Sequence, residues 1–458
     1  MSSKHFLNDP AHLVDTALRS LTLTNPSLAL DSHNKVIYRR PDPTNPKQVS
    51  LVSGGGAGHE PSFGGMVGRG MLTAAISGTI FASPSSEQIR AALQSRVDSS
   101  AGVLVTVMNY TGDVLNFGVA VEKARAAGLR AEMVVVGDDV GVGREMAGKV
   151  GRRGIAGTVL VTKIAGALAE RGFPLDDVAR IARLTASNIV SVGASLEHVH
   201  VPGRATGSTS SADLAAGEVE LGMGIHNEPG SGRATVALPE LVRTMLAQML
   251  DQNDKDRAFL DVNSKDVVLL VNNLGGVSPL ELSGITAEVA SQLSSTHNIH
   301  PVRVLSGTYM TSLNGLGFSI SLLNVVDTGI CPGMLELLDA PAEVTGWSAP
   351  ISRATWDAKN TAELTASADE EKAGKPSELT WEPAVATAAL TAGLQRVIAA
   401  EPEITRFDTI VGDGDCGTGL KRGAEGKHPP PHLLSFPPSE RQQANSSQQS
   451  SSTSPITP

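Results

Sequence analysis

The sequence predicts an α/β fold: two α/β lobes, then a linker, an incomplete helical domain and a disordered tail. Three observations predict it. β-Branched runs alternate with helical stretches from about residue 49 to 136, the pattern of a parallel sheet. The alternation resumes after about residue 195, with strand-like runs at 265–271, 300–305 and 318–323. The apolar period is lost over 350–380, and after Gly426 the chain becomes rich in Gln, Ser and Pro. The boundaries that follow are 1–195 for the first lobe, 196–345 for the second, 346–380 for the linker, 381–426 for the helical fragment and 427–458 for the tail.

In chain order, Val14, Leu18 and Leu21 recur at helical spacing after Asp9-Pro10, a plausible start. Residues 35–38 and 49–52 read as strands, the second feeding Ser53-Gly-Gly-Gly-Ala-Gly-His-Glu-Pro61. Ser83-Pro-Ser-Ser-Glu87 reads as the cap and first turn of a helix to about residue 97. Residues 102–108 form an uninterrupted apolar run suited to a buried strand, which ends at Asn109-Tyr-Thr-Gly-Asp113. A helix through Val119, Ala120, Ala124 and Ala127 and a strand at 131–136 follow. Asp138 and Asp139 read as a solvated acidic loop rather than a metal pair. Two helical stretches cover 158–169 and 175–190. His198 and His200 have a ligand-like spacing but no third ligand nearby, so no zinc site is expected. Pro239 opens a helix to about residue 252, and Ser278-Pro279 opens another.

Composition narrows the function. A chain of 458 residues holds two or three domains. Its formal net charge of −10 argues against a nucleic-acid partner, which needs a basic footprint. With only Cys331 and Cys416, no disulfide framework or Cys-based zinc site is expected, which suits a reducing compartment. The N-terminus lacks a signal-like apolar run, and no stretch reaches the ~20 apolar residues of a membrane span, so a cytoplasmic protein away from membranes is expected.

Three loops carry the chemistry. His59 and Asp113 both follow strands, where open parallel sheets place their ligand groups. His226 lies in Glu218-Val-Glu-Leu-Gly-Met-Gly-Ile-His-Asn-Glu-Pro-Gly230, among glycines that leave its ring room to meet a small molecule. Together they offer a nucleophile, an acid/base and a base. No Lys-Ser/Thr follows the glycine run, so a phosphate-cradling P-loop is not predicted; close backbone approach to a small polyol through Gly56, Ala57 and Gly58 is. Asp408, Asp413 and Asp415 sit around a glycine turn and suit Mg2+, which takes carboxylate oxygens and nucleotide phosphates.

In this order, the segments GGGAGHEP, NYTGDVLNFG and ELGMGIHNEPG resemble the substrate-binding half of the dihydroxyacetone (glycerone) kinases. Gly412-Asp-Gly-Asp-Cys-Gly417 resembles the magnesium loop of their ATP-binding half, and the resemblance runs from about residue 5 to 426. It implies that His226 adds through its ring nitrogen to the ketone carbon of dihydroxyacetone, giving a covalent hemiaminal. It implies that His59 and Asp113 contact the substrate hydroxyls and assist phosphoryl transfer, and that Asp408, Asp413 and Asp415 hold two Mg2+ ions against ATP. A homodimer is also implied, as is D-glyceraldehyde as a second acceptor. The family's lysine before the Asn-Tyr-Thr-Gly-Asp run is replaced here by Met108, which removes a polar substrate contact. Its helical domain is much longer than 381–426, so the chain as written is expected to hold triose without turning over ATP. The competing readings are a non-catalytic dihydroxyacetone-binding protein and a subunit that takes phosphate from a partner protein; the fused aspartate loop argues against the second.

Overall fold

The computed structural model describes residues 5–42, 47–204, 214–358 and 382–426. The chain divides into two compact units, Met1–Asn360 and Thr361–Pro458.

The first unit starts with α1 (Pro10–Thr24), capped by the Asp9 carboxylate on the amides of Ala11 and His12, with Val14 and Leu18 buried. There follow β1 (Leu28–Asp31), β2 (Val36–Arg39), β3 (Ser50–Ala57), β4 (Ala74–Ile80), α2 (Ser86–Ser95), β5 (Val103–Met108), α3 (Thr111–Ala126) and β6 (Ala131–Val136). The six strands form one sheet in the order β1-β2-β4-β3-β5-β6. The β4-β3-β5-β6 part is parallel, as strand–helix alternation requires, and β1 and β2 add an antiparallel edge. The cap of α2 is Ser85, within the expected stretch, closing a capping box with Gln88.

After the short α4 (Arg144–Ala147) come α5 (Thr158–Glu170) and α6 (Leu175–Ser187). Every residue of α5 from Thr158 to Ala169 is buried, as expected of a helix apolar on all sides. Lys163 is the exception in character; it donates to the carbonyl of Leu337 at 2.8 Å.

The second sheet is built from β7 (Ile189–Ser195), β8 (Val219–Leu221), β9 (Gly232–Ala234), β10 (Val267–Asn273), β11 (Arg303–Gly307) and β12 (Gly317–Asn324), in the order β11-β10-β12-β7-β8-β9. α7 (Leu238–Leu250) and α8 (Pro279–His297) cover it. β7 pairs with β12 along its whole length, so a division at 195 falls one strand late, and Val190 is strand rather than helix. Apart from β10/β11 the pairing is antiparallel. No helix joins β11 to β12, so the chain turns back over the end of β10 instead of crossing over. That returning loop, residues 308–316, reaches the first sheet's glycine loop: Leu313 N donates to Gly58 O at 2.7 Å, and Thr311 Oγ1 to Glu60 O at 2.8 Å.

The unit closes with α9 (Met334–Leu338) and α10 (Arg353–Ala358). Residues 346–358, expected to begin a linker, belong to it: Gly346 N donates to Gly65 O, and buried Trp347 packs on Tyr309. The rest of the expected linker, residues 359–380, and the expected tail, 427–458, lie outside the described residues.

In the second unit, α11 (Pro383–Val411) and α12 (Cys416–Gly426) pack as a helical hairpin. α11 is the one described helix long and apolar enough, by length and composition, to cross a membrane, where no such stretch was expected.

Candidate active site

β3 delivers the glycine loop. A Cβ at Gly56 would lie 2.7 Å from the amide nitrogen of Ala82, and at Gly58 2.7 Å from the Phe81 ring, where φ is also +106°. These glycines are therefore demanded by protein packing. Gly55 differs: its Cβ direction opens toward the Asp113 carboxylate, 3.6 Å away, and leaves space there. Gly55 was not among the expected substrate contacts.

The loop ends at His59, which is fully buried. Its Nδ1 lies 2.8 Å from the carbonyl oxygen of Thr311, and its ring stacks on Phe81. Its Nε2 lies 2.9 Å from Nε2 of His226, 167 residues away. Burial, reinforced by the neighbouring His226, pulls the His59 pKa down to about 3.

His226 sits on a braced loop. Ser312 Oγ donates to Ile225 O, and the Asn227 side chain exchanges two hydrogen bonds with the backbone of Val199. Asn227 itself takes φ +66°, a conformation Asn tolerates. Glu228 clasps the histidine twice: Oε2 accepts from the His226 amide at 2.9 Å and Oε1 meets Nδ1 at 2.8 Å. Burial raises the Glu228 pKa, but the hydrogen bond and charge of His226 outweigh it and hold the carboxyl at about 2. Phe81 and Tyr110 meet the imidazole edge-on, with centroids 5.1 and 4.7 Å away.

Asp113 lies in the first turn of α3, almost fully buried. Burial raises its pKa, opposed by a hydrogen bond with Ser83 and by the charge of His226. Its Oδ1, like the Tyr110 hydroxyl, is buried without a hydrogen-bond partner among the described residues. Such groups are costly unless something polar meets them, and a polyhydroxylated ligand would do so.

The structure thus brings His59, Asp113 and His226 together in one unit. Thr311, Glu228 and Tyr110 complete the arrangement and were not singled out in the sequence. Thr311 contributes a backbone carbonyl 252 residues from its partner, which leaves no side-chain signal. Glu228 did leave one: an acid two residues past the histidine. Met108 ends β5 pointing into the core, and a Cβ at Gly154 would lie 2.8 Å from its own. Arg153, which interacts with Tyr110, pairs with Asp139 at 2.8 Å and donates to Gly222 O.

One expectation is corrected. Asp138 and Asp139 are buried, not solvated: Asp138 accepts from the amides of Ile155 and Gly157, Asp139 from Gly141 N and Arg153. Burial outweighs Arg153 and raises the Asp139 pKa to about 6. His198 and His200 point to different partners: His198 pairs with Glu220, while His200 meets His5 and the Arg204 carbonyl.

In the second unit, Asp408, Asp413 and Asp415 present ligand oxygens all within 4.8 Å of one another. The neighbouring Asp413 raises the Asp415 pKa by repulsion. Clustered carboxylate oxygens with mutual repulsion to relieve form a donor set that fits Mg2+.

Comparison with known proteins identifies the family. Residues 19–346 match the Dak1 domain. Dihydroxyacetone kinase 1 of Saccharomyces cerevisiae is 43% identical, the match covering 93% of this chain and 73% of that protein. The crystal structure of the dihydroxyacetone kinase of C. freundii superposes with a TM-score of 0.69 at 34% identity, covering 93% of this chain and 73% of that one. The same enzyme in complex with AMP-PNP and Mg2+ also gives 0.69, at 33% identity and 93% and 74% coverage. The chain belongs to the dihydroxyacetone kinase family.

Proposed function

We infer that this protein is an ATP-dependent dihydroxyacetone kinase in which His226 holds the ketone covalently while a terminal hydroxyl is phosphorylated. The observation that carries the reading is the meeting of His226 Nε2 with His59, beside two buried oxygens, Asp113 Oδ1 and Tyr110 Oη, that lack partners among the described residues. Nε2 is the nucleophilic atom because Nδ1 is engaged by Glu228. Addition converts a loosely bound triose into a fixed one, replacing a bimolecular encounter with a held geometry. In this reading Asp113 takes the proton of the reacting hydroxyl, and its raised pKa suits it to that exchange. The Tyr110 hydroxyl offers a hydrogen bond to the substrate, and Phe81 packs against both histidines.

Asp408, Asp413 and Asp415 would hold Mg2+, which supplies charge neutralisation to the phosphates of ATP. D-Glyceraldehyde also has a carbonyl for His226 and is a second acceptor; glycerol has none. The homologue solved with AMP-PNP and Mg2+ supports the use of ATP.

Intact mass spectrometry after equilibration with dihydroxyacetone tests the reading. One triose adduct per chain is expected, with none from glycerol. Equal adduct formation with glycerol, or none with dihydroxyacetone, would overturn it.

A further inference from the structure

We infer that Glu228 is a positioning residue that makes the resting His59–His226 pair hold three ring protons and therefore one positive charge. The inference rests on the triose-capture reading above and deepens it.

The argument is a count of hydrogens. The two rings have four nitrogens, and each is engaged. His59 Nδ1 faces the Thr311 carbonyl, which can only accept, so this nitrogen carries a hydrogen. His226 Nδ1 faces the Glu228 carboxylate at 2.8 Å, so it carries one too. The two Nε2 atoms then face each other at 2.9 Å, a contact that needs one hydrogen between them. Two neutral imidazoles supply two hydrogens in all; this geometry requires three. The third belongs on His226, since burial keeps His59 neutral. His226 is then a doubly protonated ring whose charge Glu228 balances.

Other ionisable groups flank the pair. Asp113 and Tyr110 face the pair from the start of α3. Glu60, next to His59, accepts from the Gly58 amide. Arg153, beside Gly224, pairs with Asp139 at 2.8 Å and also faces Glu228.

Capture of the ketone then balances without solvent. The Nε2 proton of His226 passes to Nε2 of His59, freeing the lone pair. That pair forms the N–C bond as the carbonyl π pair moves to oxygen, and His59 delivers the proton there to make the hemiaminal hydroxyl. His59 returns to neutral, and His226 remains a cationic, carbon-substituted ring with its Nδ1 hydrogen on Glu228. Total charge is unchanged.

With Glu228→Gln the outer acceptor can become a donor. His226 then accepts at Nδ1 and donates from Nε2, so the pair is satisfied with two hydrogens and the nucleophilic lone pair is covered.

The test is 15N NMR of the full chain labelled in its histidines, assigned with His59→Asn and His226→Asn, at neutral pH without triose. His226 doubly protonated and His59 singly protonated at Nδ1 are expected. In Glu228→Gln, His226 should become singly protonated at Nε2, with triose adduct occupancy falling by about tenfold or more, the order expected for losing a charge-assisted hydrogen bond. Glu228→Asp, which keeps the charge, should restore part of the adduct. A singly protonated His226 in the wild type, or ring protonation unmoved by Glu228→Gln, would overturn the inference. If Glu228→Gln does not fold, the wild-type spectrum decides alone. Absence of any wild-type adduct would instead defeat the triose reading, so the two failures are distinguishable.

Discussion

The two units hold their acidic groups in opposite ways. Asp113 of the first is buried, and the neighbouring glycine loop is held by backbone hydrogen bonds from the loop after β11. Asp408, Asp413 and Asp415 of the second sit at the turn of a helical hairpin, where α11 has no buried residue among those described and α12 buries only Gly417 and Ala424. The first site is preorganised by packing; the second is shaped by local bonds such as Cys416 N to Asp408 Oδ2 and strained by like charges. Shape is thus built into the triose half, whereas the acidic turn gains most from an ion.

The largest expected contrast is in chemistry. His226→Ala should abolish triose capture altogether in intact mass, while Asp415→Asn leaves it unchanged; loss in both would mean that the two sites are not independent. Next comes packing. Leu160, fully buried in α5, should cost roughly 2–5 kcal/mol on truncation to Ala, measured by urea denaturation. Leu390, almost half exposed on α11, should change stability by about 0.5 kcal/mol or less.

A smaller effect is expected in ion binding. Asp413→Asn and Asp415→Asn should each weaken Mg2+ binding by about tenfold or more in calorimetry, and chelators should leave triose capture intact. Smallest is the stability effect of Asp113. Its folded pKa is raised by burial, so its protonated form stabilises the fold below the ordinary carboxylate range, and that contribution is lost as pH rises through the folded value. Asp113→Asn should therefore be more stable than wild type at neutral pH by on the order of 1 kcal/mol, with the difference vanishing in acid, even as catalysis is lost. Thermal melts at both pH values check the sign.

Much of this was legible in the sequence because the first lobe is locally consistent: apolar strands, glycine turns and capped helices agree from β3 to β6. His59, Asp113 and His226 stood out because each ends or interrupts a glycine-bearing loop. The antiparallel second sheet was hidden because a buried strand reads alike in either direction, and β7 continued the apolar run of α6. Asp138 and Asp139 misled because their partners, the amides of Ile155 and Gly157 and the Arg153 side chain, lie 14 to 19 residues away and become visible only after folding.

The most direct measurement is 13C NMR of the protein with dihydroxyacetone labelled at its ketone carbon. The account predicts that the bound carbon leaves the carbonyl region and appears as a tetrahedral centre bonded to nitrogen, lost in His226→Ala. A bound triose that keeps its trigonal carbonyl, or a tetrahedral signal that survives that substitution, would contradict it.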